Sequence, residues 1–167
     1  MEQNFLSDSR KVFSSYKALG DKAFLQLKDN EINQSQGDSS NSVGLIVKHL
    51  HGNMLSRWTN FLTSDGEKPD RHRDAEFEGK AMDRKEMLLL WEEGWNCLFA
   101  TLDSLTGHDL NKTVHIRREP HTVMEAMLRQ IAHYSYHVGQ IVYLAKVFRS
   151  GDWKSLSIPK GKSEDYK

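Results

Sequence analysis

Apolar residues recur at spacings of three and four in four long stretches of this chain, and polar segments with little to bury separate them. The first stretch covers residues 9–27, where Val12, Phe13, Tyr16, Leu19, Ala23, Phe24 and Leu27 fall on one helical face. Residues 34–41 are uniformly polar and read as a loop. The second helix is expected over 42–62, capped by Asn41 or Ser42, with an apolar stripe of Ile46, Leu50, Met54, Trp58 and Phe61. A long polar stretch, 63–82, follows and contains Asp65-Gly66, Pro69 and Gly79. Loops of that length in a compact domain are usually functional or mobile.

The third helix opens at Asp83, with Glu86 three residues on, a capping-box spacing with aspartate as the cap. Leu88, Trp91, Trp95, Leu98, Phe99 and Leu102 mark its apolar side, and Gly107 is a natural stop. Trp91 and Trp95, one turn apart, read as core. Residues 113–117 alternate like a short strand or extended ribbon, with too few apolar positions for a sheet. The fourth helix is expected over 122–150, with Pro120 just before it and Gly151 at its end. The tail, 152–167, carries one apolar patch of Trp153, Leu156 and Ile158. Four amphipathic helices without convincing strands predict an all-α four-helix bundle, a single domain over 1–167 with long loops between helices.

Composition narrows the function classes. Lys plus Arg and Asp plus Glu number 23 each, so the formal net charge is zero and no global field draws the chain to nucleic acid or an anionic membrane. No apolar run approaches the ~20 residues of a membrane span. The first residues lack the basic-then-apolar pattern of a signal peptide, so cytoplasmic residence is the expectation. Cys97, the single cysteine, lies in an apolar helical stretch and reads as a small buried hydrophobe rather than a reactive thiol.

The chemistry is concentrated in His133-Tyr-Ser-Tyr-His137. A spacing of four puts both imidazoles on one helix face, one turn apart. Neutral imidazoles so placed can each hold a divalent ion at ~2.0–2.1 Å. Position 134 is tyrosine, not the glutamate of the zinc-protease motif, so a peptidase of that type is not expected. A catalytic ion normally takes three protein ligands and keeps one position open. The second helix offers His49 and His51, which at about 100° per residue point about 200° apart, so only one can join the pair. Each flanks the apolar stripe, and periodicity does not choose between them. Gln140, three residues past His137, is placed to hydrogen-bond a ligand imidazole, as metal-bound histidines usually require.

This arrangement resembles the DinB/YfiT-like superfamily of metalloenzymes: four-helix bundles with one histidine on the second helix and an H-x-x-x-H pair on the fourth. Ser42-Val-Gly-Leu-Ile-Val-Lys-His-Leu50, Thr63-Ser-Asp-Gly-Glu-Lys-Pro69, Arg73-Asp-Ala-Glu-Phe77, the segment 133–141 and Leu156-Ser-Ile-Pro-Lys-Gly-Lys162 look like one bacterial subfamily of it. The resemblance assigns the second-helix role to His49 in Leu45-Ile-Val-Lys-His49-Leu50, and the paired roles to His133 and His137. It leaves His51 at the surface or behind the ligands. It also implies a divalent ion, zinc or nickel, and a reaction in which a low-molecular-weight thiol is activated and transferred to an electrophilic small molecule.

Two other functions stay open: a metal-dependent hydrolase, whose base would come from elsewhere in the chain such as Glu76, and a non-enzymatic stress-related binding module. Arg117 and Arg118 could reach an anionic substrate. Arg73, Asp74, Glu76 and Glu78 read as a solvated charge run or, as the resemblance favours, a lid over the metal face. Tyr134 and Tyr136 lie off the histidine face, and His72, His108, His115 and His121 read as exposed. No catalytic residue is assigned. A homodimer, with no nucleic acid or membrane partner, completes the expectation.

Overall fold

The computed structural model describes residues 2–37, 39–78 and 80–166; Gly79, counted above among the loop's breakers, lies outside them. Four helices carry most of the chain: α1 (Glu2–Phe24), α2 (Val43–Trp58), α3 (Arg84–Ser104) and α4 (Val123–Arg149). A two-stranded antiparallel hairpin, β1 (Thr113–Ile116) and β2 (Glu119–Thr122), sits between α3 and α4. Short 3₁₀ turns fill several of the remaining links. The two broadest helix contacts are α2 with α3 and α1 with α4; α2 also touches α4, and α1 touches α3.

Each of the last three helices starts where a side chain can satisfy an orphaned backbone N–H. Leu45 N–H donates to Ser42 Oγ at 3.3 Å and Glu86 N–H to Asp83 Oδ1 at 2.7 Å. At α4 a full capping box forms: Glu125 N–H donates to Thr122 Oγ1 at 3.1 Å while Thr122 N–H donates to Glu125 Oε2 at 2.8 Å. The helix ends depart from the periodicity. α1 begins near the N-terminus because Leu6 extends its buried stripe beyond Ser9, and it stops at Phe24 because Leu25 turns out to solvent. Leu27 is still buried, but it lies beyond the helix. α2 ends at Trp58, not at 62. Thr59 goes extended and Asn60 takes a positive φ of 51°, folding Phe61 back onto the Trp58 ring at 5.0 Å. Gly107 does not end α3, which stops at Ser104, and instead opens a 3₁₀ turn.

The ribbon at 113–117 is paired after all. Val114 and Ile116 bury into the core, while the opposing Glu119-Pro120-His121-Thr122 offers no apolar core residue, so sequence alone did not announce the partner. Pro120 does lie just before α4, but as a residue of β2 opposite His115. The two turn residues, Arg117 and Arg118, adopt φ of 55° and 66°, the left-handed pair that a two-residue hairpin turn needs and that Asn-Gly normally supplies. Asp65 compensates. Its carboxylate accepts the N–H groups of Arg117 at 2.8 Å, Arg118 at 2.7 Å and Glu67 at 2.7 Å, which ties the hairpin to the α2–α3 loop.

The centre of the helical packing is aromatic, with one ring from each helix: Phe13, Trp58, Trp95 and Tyr134, all nearly or fully buried. Phe13 lies 6.0 Å from Trp58, 6.4 Å from Trp95 and 5.9 Å from Tyr134, ring to ring, mostly edge to face. The polar atoms of two of these rings are used internally: Trp58 Nε1 donates to Tyr134 Oη at 3.0 Å, and Tyr134 Oη donates to Asn53 Oδ1 at 3.1 Å. Among the described residues no helix is long and apolar enough to cross a membrane.

Candidate metal centre

His133 and His137 project from α4 one turn apart, and His49 meets them from α2. Each imidazole offers a nitrogen within 4.8 Å of the other two, so the three could hold one ion. The Nε2 atoms of His49 and His133 are 3.3 Å apart. Two nitrogens ~2.0–2.1 Å from a common tetrahedral ion are about 3.3 Å apart, so this pair already has a chelating separation.

The remaining ring nitrogens explain why the inner ones face inward. His49 Nδ1–H donates to Glu76 Oε2 at 2.7 Å, which leaves the Nε2 lone pair free. His137 Nδ1–H donates to Gln140 Oε1 at 2.8 Å, with the same consequence. Gln140 thus hydrogen-bonds the second histidine of the pair, three residues before it. Burial, then the neighbouring imidazoles, pushes His133 down to about 3. Burial also lowers His137 to about 4, against the opposing hydrogen bond to Gln140. Both rings are neutral at pH 7, the form that binds a metal.

Glu76 departs from the expected solvated run. Burial alone would raise its pKa, but hydrogen bonds from His49 and Arg71 outweigh that and hold the carboxyl below its usual value. Arg71 grips it with two bonds, Nε to Oε1 at 2.8 Å and a terminal nitrogen to Oε2 at 2.9 Å. Its neighbours Asp74 and Glu78 stay exposed. Gly52, on α2 three residues after His49, makes this approach feasible, since a Cβ there would run into the Glu76 carboxylate. Phe77 stacks on the His49 ring at 4.7 Å and closes that side.

The open side faces a cavity of ≈ 430 Å³. It is lined by the three histidines, Asn41, Asn53, Gln130, Gln140, Phe77, Ala132 and Tyr136, and by five arginines: 57, 71, 73, 117 and 129. Among the described residues no aspartate or glutamate lines it. Arg117 reaches the cavity as its position allowed, with Nε donating to Glu67 Oε2 at 3.0 Å, whereas Arg118 is engaged through its backbone and is not part of the lining. His51 turns to α3, where Nε2 lies 3.0 Å from Glu93 Oε2, and it takes no part in the cluster.

Tyr136, expected off the histidine face, still lines the cavity because its ring leans to 4.2 Å from that of His137. Tyr134 belongs to the aromatic core. Cys97 is half-buried with Sγ 3.7 Å from Thr59 Oγ1, and Trp91 and Trp95 are core. His72, His108 and His115 are exposed, but His121 is half-buried, with an enclosed Nε2. Sequence reasoning missed Arg57, Arg71, Arg129, Gln130 and Phe77. For Arg129 the signal existed, since it precedes His133 by the same four residues that separate the histidine pair.

Fold and cavity together define a mostly helical protein with a three-imidazole cluster open on one side. The chain belongs to the family described as "protein of unknown function (DUF1572)", whose model matches residues 1–162. No curated protein matches it.

Proposed function

We propose that this protein is a metal-dependent enzyme of the DinB/YfiT-like type, with His49, His133 and His137 as ligands of one zinc or nickel ion, and that it transfers a low-molecular-weight thiol to an electrophilic small molecule. The observation that carries the reading is the convergence of three nitrogens on a point that remains open to a cavity. A closed structural site would use four ligands, usually including cysteine. A bound divalent ion supplies Lewis acidity and lowers the pKa of a thiol or water that reaches it.

The chain's own groups have separate tasks in this reading. Glu76 and Gln140 fix the tautomers of His49 and His137, Phe77 covers one face of the His49 ring, and Tyr136 packs tilted against His137. The cavity is within the ~300–1,000 Å³ range typical of small-molecule sites. The hydrolase reading is weaker, because it needs a base free to take a proton. Glu76 already binds His49 and Arg71 through both oxygens, and among the described residues no carboxylate lines the cavity. A homodimer draws support from an exposed apolar row on α4, Leu128, Tyr136, Tyr143 and Val147.

The test is loss of free thiol when zinc- or nickel-loaded protein is given cysteine or glutathione with an alkylating electrophile such as monobromobimane. Consumption above the uncatalysed rate, abolished by His49→Ala and by chelation, is the expected result. A rate equal to the protein-free control for each thiol and each metal would reject the transferase assignment.

A further inference from the structure

The five arginines of the cavity are of two kinds. Arg71 is spent on Glu76 and Glu67, and Arg57 is spent on Glu67 and the Gly66 carbonyl. Arg117 joins them on Glu67. These three brace the α2–α3 loop against α2 and the hairpin. Arg129 and Arg73 are different: both are exposed, both line the cavity, and neither has a carboxylate partner among the described residues. Arg129 extends the α4 stripe of His133 and His137 by one further turn, ~6 Å along the axis. Arg73 comes from the α2–α3 loop, its guanidinium 5.9 Å from the centroid of Phe77, the ring that stacks on His49.

A second observation points the same way. Gln130 is only 4% exposed, lines the same cavity, and its Oε1 has no hydrogen-bond partner. A buried side-chain carbonyl without a donor is uncommon in a native fold and is explained when a ligand supplies the N–H or O–H. Among the described residues the cavity thus offers two unmatched cations and one unmatched acceptor, and no lining anion.

We infer that the ligand taken up beside the three histidines carries an oxyanion, a carboxylate or a phosphate, held by Arg129 and Arg73, with an N–H or O–H group donating to Gln130. Guanidinium groups bind either oxyanion through paired, charge-assisted hydrogen bonds. The stripe spacing separates this oxyanion from the histidine cluster by about one helical turn, so the ligand is elongated, with its charged end away from its reacting end. The inference rests on the metal reading only for what lies at that reacting end.

The experiment is calorimetric titration at low ionic strength with succinate, inorganic phosphate and the neutral isostere succinamide, alongside metal analysis of each sample. The proteins are wild type, Arg129→Gln, Arg73→Gln, the double variant and His49→Ala. Succinate or phosphate should bind and succinamide should not, and whichever dianion binds tighter identifies the oxyanion. Each arginine substitution should weaken the dianion by about tenfold without changing the metal content, the usual size of one lost charge-assisted bond. His49→Ala should lose metal and retain the dianion. Absence of binding by both dianions, equal binding of succinamide, or an unchanged affinity in the double variant overturns the inference. Loss of the dianion together with the metal in His49→Ala also overturns it, since the metal then holds the anion. Arginine-dependent binding in a protein that never takes up metal would sustain this inference and reject the metal centre.

Discussion

The aromatic centre takes one ring from each of the four helices, the histidine cluster draws on α2 and α4 alone, and α4 feeds both with adjacent residues. Tyr134 points to the core and His133 to the cavity, a consequence of the ~100° step along a helix. At the centre every ring packs on a ring from another helix, and the Tyr134 hydroxyl serves both Trp58 and Asn53. At the cluster the arrangement is reversed. Outer nitrogens of His49 and His137 are satisfied by Glu76 and Gln140, while inner nitrogens face one another with no donor assigned to them. The centre spends the polar atoms of Trp58 and Tyr134 on itself and encloses Trp95 Nε1 without a partner, whereas the cluster keeps its inner nitrogens turned toward a cavity.

That contrast can be broken from either side. The largest effect is expected at the centre: Trp58→Ala should cost about 3–5 kcal/mol in urea unfolding, the usual range for removing a fully buried large aromatic. Glu76→Gln should leave folding nearly intact but weaken metal about 10–100-fold in competition with a chromophoric chelator, as expected when the partner of a ligand imidazole is lost. Gly52→Ala should act in the same direction by displacing the Glu76 carboxylate. Tyr134→Phe, which removes one hydroxyl and leaves the Trp58 and Asn53 groups unpaired, should cost about 1–2 kcal/mol and leave metal content unchanged.

The smallest effect is one of pH. His133 and His137 are held at about 3 and about 4 in the fold, below the ordinary 6.5 that the unfolded chain has. The unfolded state therefore takes up protons first on acidification. The stabilisation is fully present above pH 6.5 and is lost progressively as the pH falls toward the folded values. From pH 7 to pH 6 the loss for metal-free protein should be under about 1 kcal/mol per histidine, read as a fall in melting temperature.

Legibility in the sequence followed the same division. The four helices and most core residues were visible because helical periodicity is local, and two N-caps could be read, at Asp83 and at Asn41 or Ser42, of which Ser42 forms the cap. The Thr122–Glu125 box was visible only as the start of the fourth helix. The pair His133 and His137 and its partner Gln140 were visible for the same reason. His49 was not separable from His51 by periodicity, because both flank the apolar stripe. In the fold His49 joins the cluster and His51 pairs with Glu93. Glu76 was a candidate for the pocket or for a base, but its hydrogen bond to His49 was hidden because it spans 27 residues through a loop. Its only local trace is Gly52, a glycine inside a helix. The hairpin was hidden because its turn uses Arg117-Arg118 where glycine or asparagine would have signalled it, and the compensating Asp65 lies 52 residues before Arg117.

The central claim is most directly tested by metal analysis of protein purified without a histidine tag, comparing wild type with His49→Ala, His51→Ala and His137→Ala. About one divalent ion per chain, lost in His49→Ala and His137→Ala and kept in His51→Ala, is the predicted result. Metal retained in His49→Ala, or none bound by wild type even after zinc or nickel is added, would contradict the three-histidine centre.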